Sequence, residues 1–68
     1  MRYLITEHAE GGNVLSTREA EGHSRLMALW HEFGPMRGIR TVIDSPTHSI
    51  WRFGTVFYMV TEVQGEDS

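Results

Sequence analysis

The chain has 68 residues, a formal net charge of −3 and no cysteine. A chain of this length makes at most one small domain with a marginal hydrophobic core, so we expect residues 1–68 to form a single domain. The lack of cysteine excludes disulfides and thiolate metal sites, and the acidic charge makes the chain a poor general ligand for DNA. No apolar run approaches the roughly 20 residues that span a bilayer, and the first residues do not resemble a secretory signal, so we expect a cytoplasmic location.

The first predicted element is a β-strand at Arg2–His8, in which Tyr3 and Ile5 share one face. Residues 10–13, with the sequence Glu-Gly-Gly-Asn, are a strong turn signal. Val14-Leu15 is expected to return briefly to strand after this turn.

A helix is predicted next, because the four residues from Ser16 to Glu19 have the pattern of a capping box, with Ser16 as the N-cap. Gly34 followed by proline is a typical helix end, so the predicted helix runs to Phe33. Gly22 disfavours a helix by roughly 1 kcal/mol relative to alanine. The alternative is therefore a helix that begins near Gly22, after a loop at residues 16–21.

The helical periodicity places one face of this helix against a sheet. At about 100° per residue, Leu26, Trp30 and Phe33 point in the same direction. Ala28 and Glu32 fall on the opposite side of the wheel, where we expect solvent.

The second half of the chain is predicted to be strands. Ile39–Asp44 alternates in the manner of a strand, and residues 45–48 form a turn in which proline suits the second position. The sequence is strand-like from Ser49 almost to Gln64, interrupted by Gly54, which marks either a bulge in one strand or a turn between two. Residues 65–68 are expected to be a solvated tail.

These elements predict an α+β fold in which one amphipathic helix packs on a small antiparallel sheet of three to five strands. The order is strand, an optional short strand, helix, then two or three strands.

The last strand is unusual because it is apolar on both faces. Its odd-numbered side carries Phe57, Met59 and Val63, in addition to the apolar even-numbered side. One helix covers only one face of a small sheet, so we expect a second copy or a target protein on the other face. In the first case Phe57, Met59 and Val63 would form the seam of a homodimer. The alternative is that loops 9–15 and 34–38 fold over this face.

Motifs for catalysis or cofactor binding are missing from the sequence. The four histidines show no metal-ligand spacing, no carboxylates are paired by spacing, and no serine lies in a Gly-x-Ser-x-Gly context. We therefore expect a protein without catalytic, metal or cofactor-binding residues, and without enzymatic activity.

A basic and aromatic segment in the second half offers a nucleic-acid hypothesis. The side chains that would carry it are Arg37, Arg40, Trp51 and Arg52. The segment from Arg52 onwards also resembles part of the aromatic strand motif of RNA recognition motif domains. It departs from that motif because Thr55 stands where a stacking aromatic residue is expected.

The leading functional hypothesis is a small non-enzymatic protein that acts by protein–protein contact. Small acidic stand-alone proteins without motifs are often inhibitors of host machinery encoded by phages or mobile elements, such as anti-restriction and anti-CRISPR proteins. Such an inhibitor would cover a basic nucleic-acid-binding surface of a host complex with an acidic face formed by Glu7, Glu10, Glu19, Glu21 and Glu32. One alternative is a nucleic-acid-binding accessory protein, although direct binding of nucleic acid is favoured less than contact with a protein. The other alternative is a structural or regulatory homodimer subunit.

Overall fold

The computed structural model describes residues 1–63. The described elements, in chain order, are β1 (Arg2–His8), β2 (Val14–Glu21), α1 (Arg25–Phe33), β3 (Arg40–Asp44), β4 (His48–Phe53) and β5 (Val56–Glu62). The strands form one five-stranded antiparallel sheet in the order β2-β1-β5-β4-β3. The fold is therefore α+β-like, as expected, although the strands dominate and the helix is one short piece. Gln64 and the expected tail at 65–68 lie outside the described residues.

The middle strand of the sheet is β5, and β1 lies beside it. Ile5 is paired with Val60 across these strands, and both side chains are fully buried under α1. Tyr3 and Tyr58 lie on the same side and are also buried. The strand predicted to be apolar on both faces is thus a central strand.

The predicted start of the helix is wrong. Residues 14–21 form β2, and they pair with β1 along almost its whole length, from Arg2 opposite Glu21 to His8 opposite Val14. Neither the capping box at Ser16 nor the loop alternative at 16–21 is present. The turn after β1 folds this segment back alongside it, and the backbone hydrogen bonds of the ladder replace those of a helix.

The helix begins after Gly22, as the alternative start had anticipated, and its N-cap is Ser24. The Ser24 hydroxyl accepts a hydrogen bond from the Met27 amide at 3.2 Å. The predicted end is confirmed, because α1 ends at Phe33 and Gly34 follows it with φ of 84°, donating its amide to the Trp30 carbonyl at 2.7 Å.

The buried side of α1 differs from the predicted one. Ala28 and Leu29 are completely buried, whereas Leu26, Trp30 and Phe33 are only partly buried around the core. Ala28 had been expected in solvent. Its backbone instead lies close to Gly22, the residue that follows β2.

The remaining connections complete the helix side of the sheet. Gly54 makes a two-residue turn between β4 and β5 rather than a bulge, with φ of 66° at the first central position, as in a type II′ turn. Met36 is buried in the core and Ile39 packs against it, so the segment after α1 covers the helix side. Arg25, at the start of α1, donates to the Ser45 carbonyl at 2.7 Å and ties the helix to the β3–β4 turn.

No helix in the described part of the chain is long and apolar enough to cross a bilayer.

Candidate functional site

The side of the sheet opposite α1 is the most distinctive surface of the described residues, and we call it the open face. Cross-strand partners share a face, so the pairing register assigns its members. The side chains of the open face are those of Arg2, Leu4, Thr6, His8, Val14, Thr17, Glu19, Glu21, Arg40, Ile43, His48, Ile50, Arg52, Phe57, Met59 and Thr61. Of the two loops predicted as an alternative cover, 34–38 packs on the helix side through Met36. Residues of the other loop, 9–15, line one side of a groove on the open face but leave its apolar centre partly exposed.

The middle of the open face is apolar. Leu4, Ile50, Phe57 and Met59 are partly exposed on four neighbouring positions of the sheet. At the β3 edge, a bulge opposite Ile50 brings a further pair of apolar side chains to the surface. These are Val42 and Ile43, which are 49% and 42% exposed. The open face therefore exposes a continuous apolar area, of the kind that marks interaction sites.

A shallow groove crosses this apolar area. Its volume is about 450 Å³, and its floor is formed by Val42, Ile50, Phe57 and Met59. The end of β1 and the turn after it form one wall, through His8, Ala9, Glu10 and Gly12. Most of the groove surface is hydrocarbon, so it is suited to an apolar side chain rather than to a polar substrate.

A basic corner adjoins the groove. Arg40 and Arg52 lie directly opposite each other on β3 and β4, and the Arg52 guanidinium carbon is 5.8 Å from the centre of the Phe57 ring. Arg52 Nε donates to the Gly54 carbonyl at 2.9 Å. Within residues 1–63, neither guanidinium has a carboxylate within 4.0 Å. Two adjacent arginines at the surface leave this corner with an uncompensated positive charge.

The predicted Arg/aromatic surface is only partly brought together. Trp51 lies on the helix side of β4 and is 8% exposed, so it belongs to the core. Arg37 is exposed in the connection between α1 and β3. Arg40 and Arg52 are the two members that share the open face, and Phe57 supplies the aromatic ring beside them.

The five predicted acidic residues do not form one face. Glu32 is on α1 and is bonded to Arg18 at 3.1 Å, whereas Glu19 and Glu21 are on β2 and point to the open face. Glu19 is paired with Arg2. Glu10 is exposed in the turn after β1. The predicted grouping is wrong because it placed Glu19 and Glu21 on the helix.

Glu7 is part of a cluster on the helix side of the sheet. Its carboxylate accepts hydrogen bonds from the Ser16 hydroxyl at 2.7 Å and from the Tyr58 hydroxyl at 3.4 Å. Burial raises the pKa of Tyr58 above its ordinary value, and the negative charge of Glu7 and the hydrogen bond to it raise it further, while Arg18 acts weakly in the opposite direction. Glu7 is therefore committed to internal contacts.

The predicted dimer seam lies along β5. Phe57 and Met59 are on the open face and line the groove. Val63 follows the strand, where its amide donates to the Arg2 carbonyl at 2.9 Å. The sequence did not identify Leu4, Ile43 and Ile50 as their neighbours. Alternation indicates which side of its own strand each occupies, but the strand order is needed to join them.

Among the described residues, no group of three or more histidine, aspartate or glutamate side chains is placed to hold a metal ion. A comparison with known protein families, curated proteins and solved structures finds no match for this chain.

Proposed function

We propose that this protein is a small non-enzymatic binding protein that acts by protein–protein contact through the open face of its sheet. The observation that carries the proposal is the apolar centre of that face, with Leu4, Ile50, Phe57 and Met59 partly exposed on adjacent strands. A domain this small needs most of its apolar side chains for its core, so apolar side chains left exposed on one face indicate a contact surface. A partner would bury those that α1 leaves exposed. A cytoplasmic location remains part of the proposal.

The proposal is tested by affinity capture from the organism that encodes the chain, using two matched methionine variants. Met59 lies on the open face, and Met27 is 39% exposed on α1. We expect M59E to lose the captured partner because it places a charge in the apolar contact. M27E is expected to keep the partner. Equal capture by both variants, or no protein whose recovery depends on Met59, would contradict the proposal.

The inhibitor hypothesis concerns the biological setting of this contact and stays a proposal. Its acidic surface would be formed by Glu19 and Glu21, because these two share the open face at the β2 edge. Glu7 lies on the helix side of the sheet and Glu32 lies on α1. If a captured host protein binds nucleic acid, the wild-type chain is expected to compete with that nucleic acid, and E21R is expected to compete less well.

A nucleic-acid-binding role is the second candidate, and the basic corner at Arg40 and Arg52 favours it. It predicts retention of single-stranded DNA or RNA that weakens as salt is raised. Titration of a labelled oligonucleotide at low salt, with R40E/R52E as the comparison, tests it. The absence of binding by the wild-type chain at low salt would remove this candidate.

A further inference from the structure

We infer that the partner of the open face is a second copy of this chain, packed face to face with its strands crossing those of the first at about 90°. The inference rests on the proposed function, since it names the occupant of the same face. It is carried by the positions of opposite charges at two corners of the open face.

The two charged corners lie at opposite ends of one diagonal of the sheet. Arg40 and Arg52 are on β3 and β4, at the end of the sheet that carries the β4–β5 turn. Glu19 and Glu21 form an acidic corner on β2, at the opposite edge of the sheet and towards its other end. Arg2 shares the acidic corner and is paired with Glu19, so that corner holds two carboxylates against one guanidinium.

This diagonal arrangement makes the face complementary to itself. Two such faces can be related by a twofold axis that lies in the plane between them and runs along the diagonal that does not join the charged corners. This axis places the basic corner of one protomer over the acidic corner of its partner. The same operation repeats the contact at the opposite end, so both charge pairings form at once. A target with one sign of charge would match only one corner, and this favours a second copy over an unrelated partner.

The apolar residues nearest the axis match under the same operation. With strands about 4.8 Å apart and about 3.3 Å between successive residues, the axis passes within a few ångströms of Met59. Ile50 of one protomer then lies over Leu4 of its partner, which sits on the other side of the central strand. Met59, Ile50 and Leu4 therefore meet in the middle, with the charges at the rim.

The size of the face sets the expected affinity. Five strands of about seven residues make a face of roughly 500 Å² per protomer, close to the lower limit for a specific interface. We therefore expect a reversible dimer with a dissociation constant in the micromolar range rather than a permanent one.

The experiment is sedimentation velocity of the full chain from about 1 to about 500 µM, a range that brackets micromolar dissociation constants. The wild-type chain and M27E are expected to shift from monomer to dimer over this range. M59E is expected to stay monomeric, with circular dichroism used to confirm that it is folded. A wild-type chain that is monomeric throughout would overturn the inference.

A charge-swap pair tests the diagonal arrangement itself. R40E/R52E and E19R/E21R should each raise the dissociation constant at least about tenfold, because like charges then meet at both ends of the dimer. In a one-to-one mixture of the two variants, both pairings are again between opposite charges, and the dimer should return. If folded variants dimerise as well as the wild type, or if the mixture stays monomeric, the arrangement is wrong.

The two proposals can fail separately. A monomeric wild-type chain that captures another protein through Met59 would contradict the second copy and leave the proposed function standing. A monomeric chain with no Met59-dependent capture would contradict both. Binding of the labelled oligonucleotide that R40E/R52E abolishes, in a monomeric wild-type chain, would assign the face to nucleic acid instead.

Discussion

A methyl group on Gly22 would lie 2.7 Å from the backbone nitrogen of Ala28. Gly22 comes directly after β2, and its closeness to Ala28 lets the first turn of α1 lie directly against the end of that strand. We expect Gly22→Ala to destabilise the fold by about 1–3 kcal/mol, because backbone atoms rather than a flexible side chain must move. Chemical denaturation measures this change.

Gly11→Ala is the matched control, since a methyl group there meets no heavy atom within 4 Å. Its expected effect is within about 0.5 kcal/mol. Equal effects at the two glycines would show that the loss at Gly22 comes from chain flexibility rather than from the contact.

The cap of α1 gives a second prediction. Ser24→Ala should lower the free energy of unfolding by about 1 kcal/mol. It should also speed hydrogen exchange at the Met27 amide, because this amide donates its hydrogen bond to the Ser24 hydroxyl. Ser24→Asp should retain most of the stability, because a carboxylate also caps a helix. Ser16→Ala is expected to leave exchange at Met27 unchanged, since Ser16 bonds to Glu7 in the sheet. Faster exchange at the Met27 amide in the Ser16 variant would contradict the assignment of the cap to Ser24.

Two isoleucines on opposite sides of the sheet provide a third prediction. Ile5 is fully buried under α1, whereas Ile43 is 42% exposed on the open face. Ile5→Ala should cost about 2–5 kcal/mol through lost burial and a cavity. Ile43→Ala should cost less than about 1 kcal/mol in the monomer, measured by denaturation at low protein concentration. Similar losses for both would mean that the open face is covered within a single chain.

The Tyr58–Glu7 contact gives a pH dependence. Because burial and the Glu7 charge raise the pKa of Tyr58 above 10.0, the native state holds the phenolic proton more tightly than the unfolded chain. The resulting stability is fully present below the unfolded-state pKa and is lost as the pH rises through the higher native-state pKa.

We therefore expect the melting temperature of the wild-type chain to fall more steeply than that of Tyr58→Phe between about pH 9 and about pH 11. The phenylalanine variant keeps the ring that packs edge-on against Phe33 at 5.0 Å, so it isolates the hydroxyl. Parallel pH profiles of the two proteins would contradict this assignment.

The sequence predicted those elements whose signals are local. β1 is at Arg2–His8 as predicted, because alternation defines it and a glycine-rich turn ends it. The end of α1 at Phe33 was also correct, since Gly34 supplies the positive φ of the cap. β3 begins one residue later than expected, at Arg40.

The start of the helix could not be read in the same way. Ser16 to Glu19 matches a helix start locally, but the pairing of this segment with β1 outweighs that signal. Gly22 was recognised as unfavourable within a helix, yet its role as the point of closest approach to Ala28 depends on how α1 packs on the sheet.

The candidate surface shows the same limit. Phe57 and Met59 were assigned to a second apolar face because the alternation of one strand is enough to place them. The predicted acidic face is not formed, because Glu19 lies on a strand and not on the predicted helix. The basic corner required the register that sets Arg40 opposite Arg52, which no local pattern contains.

The pairing of β1 with β5 has a consequence for biosynthesis. On the ribosome, β1 and β2 can close their hairpin early, but the other edge of β1 can be paired along its full length only when Glu62 has left the exit tunnel. Until then the nascent chain carries an unpaired strand edge, with Ile5 uncovered by Val60. The last step of folding therefore follows the synthesis of β5. Aggregation or chaperone binding would compete with folding while the nascent chain is incomplete.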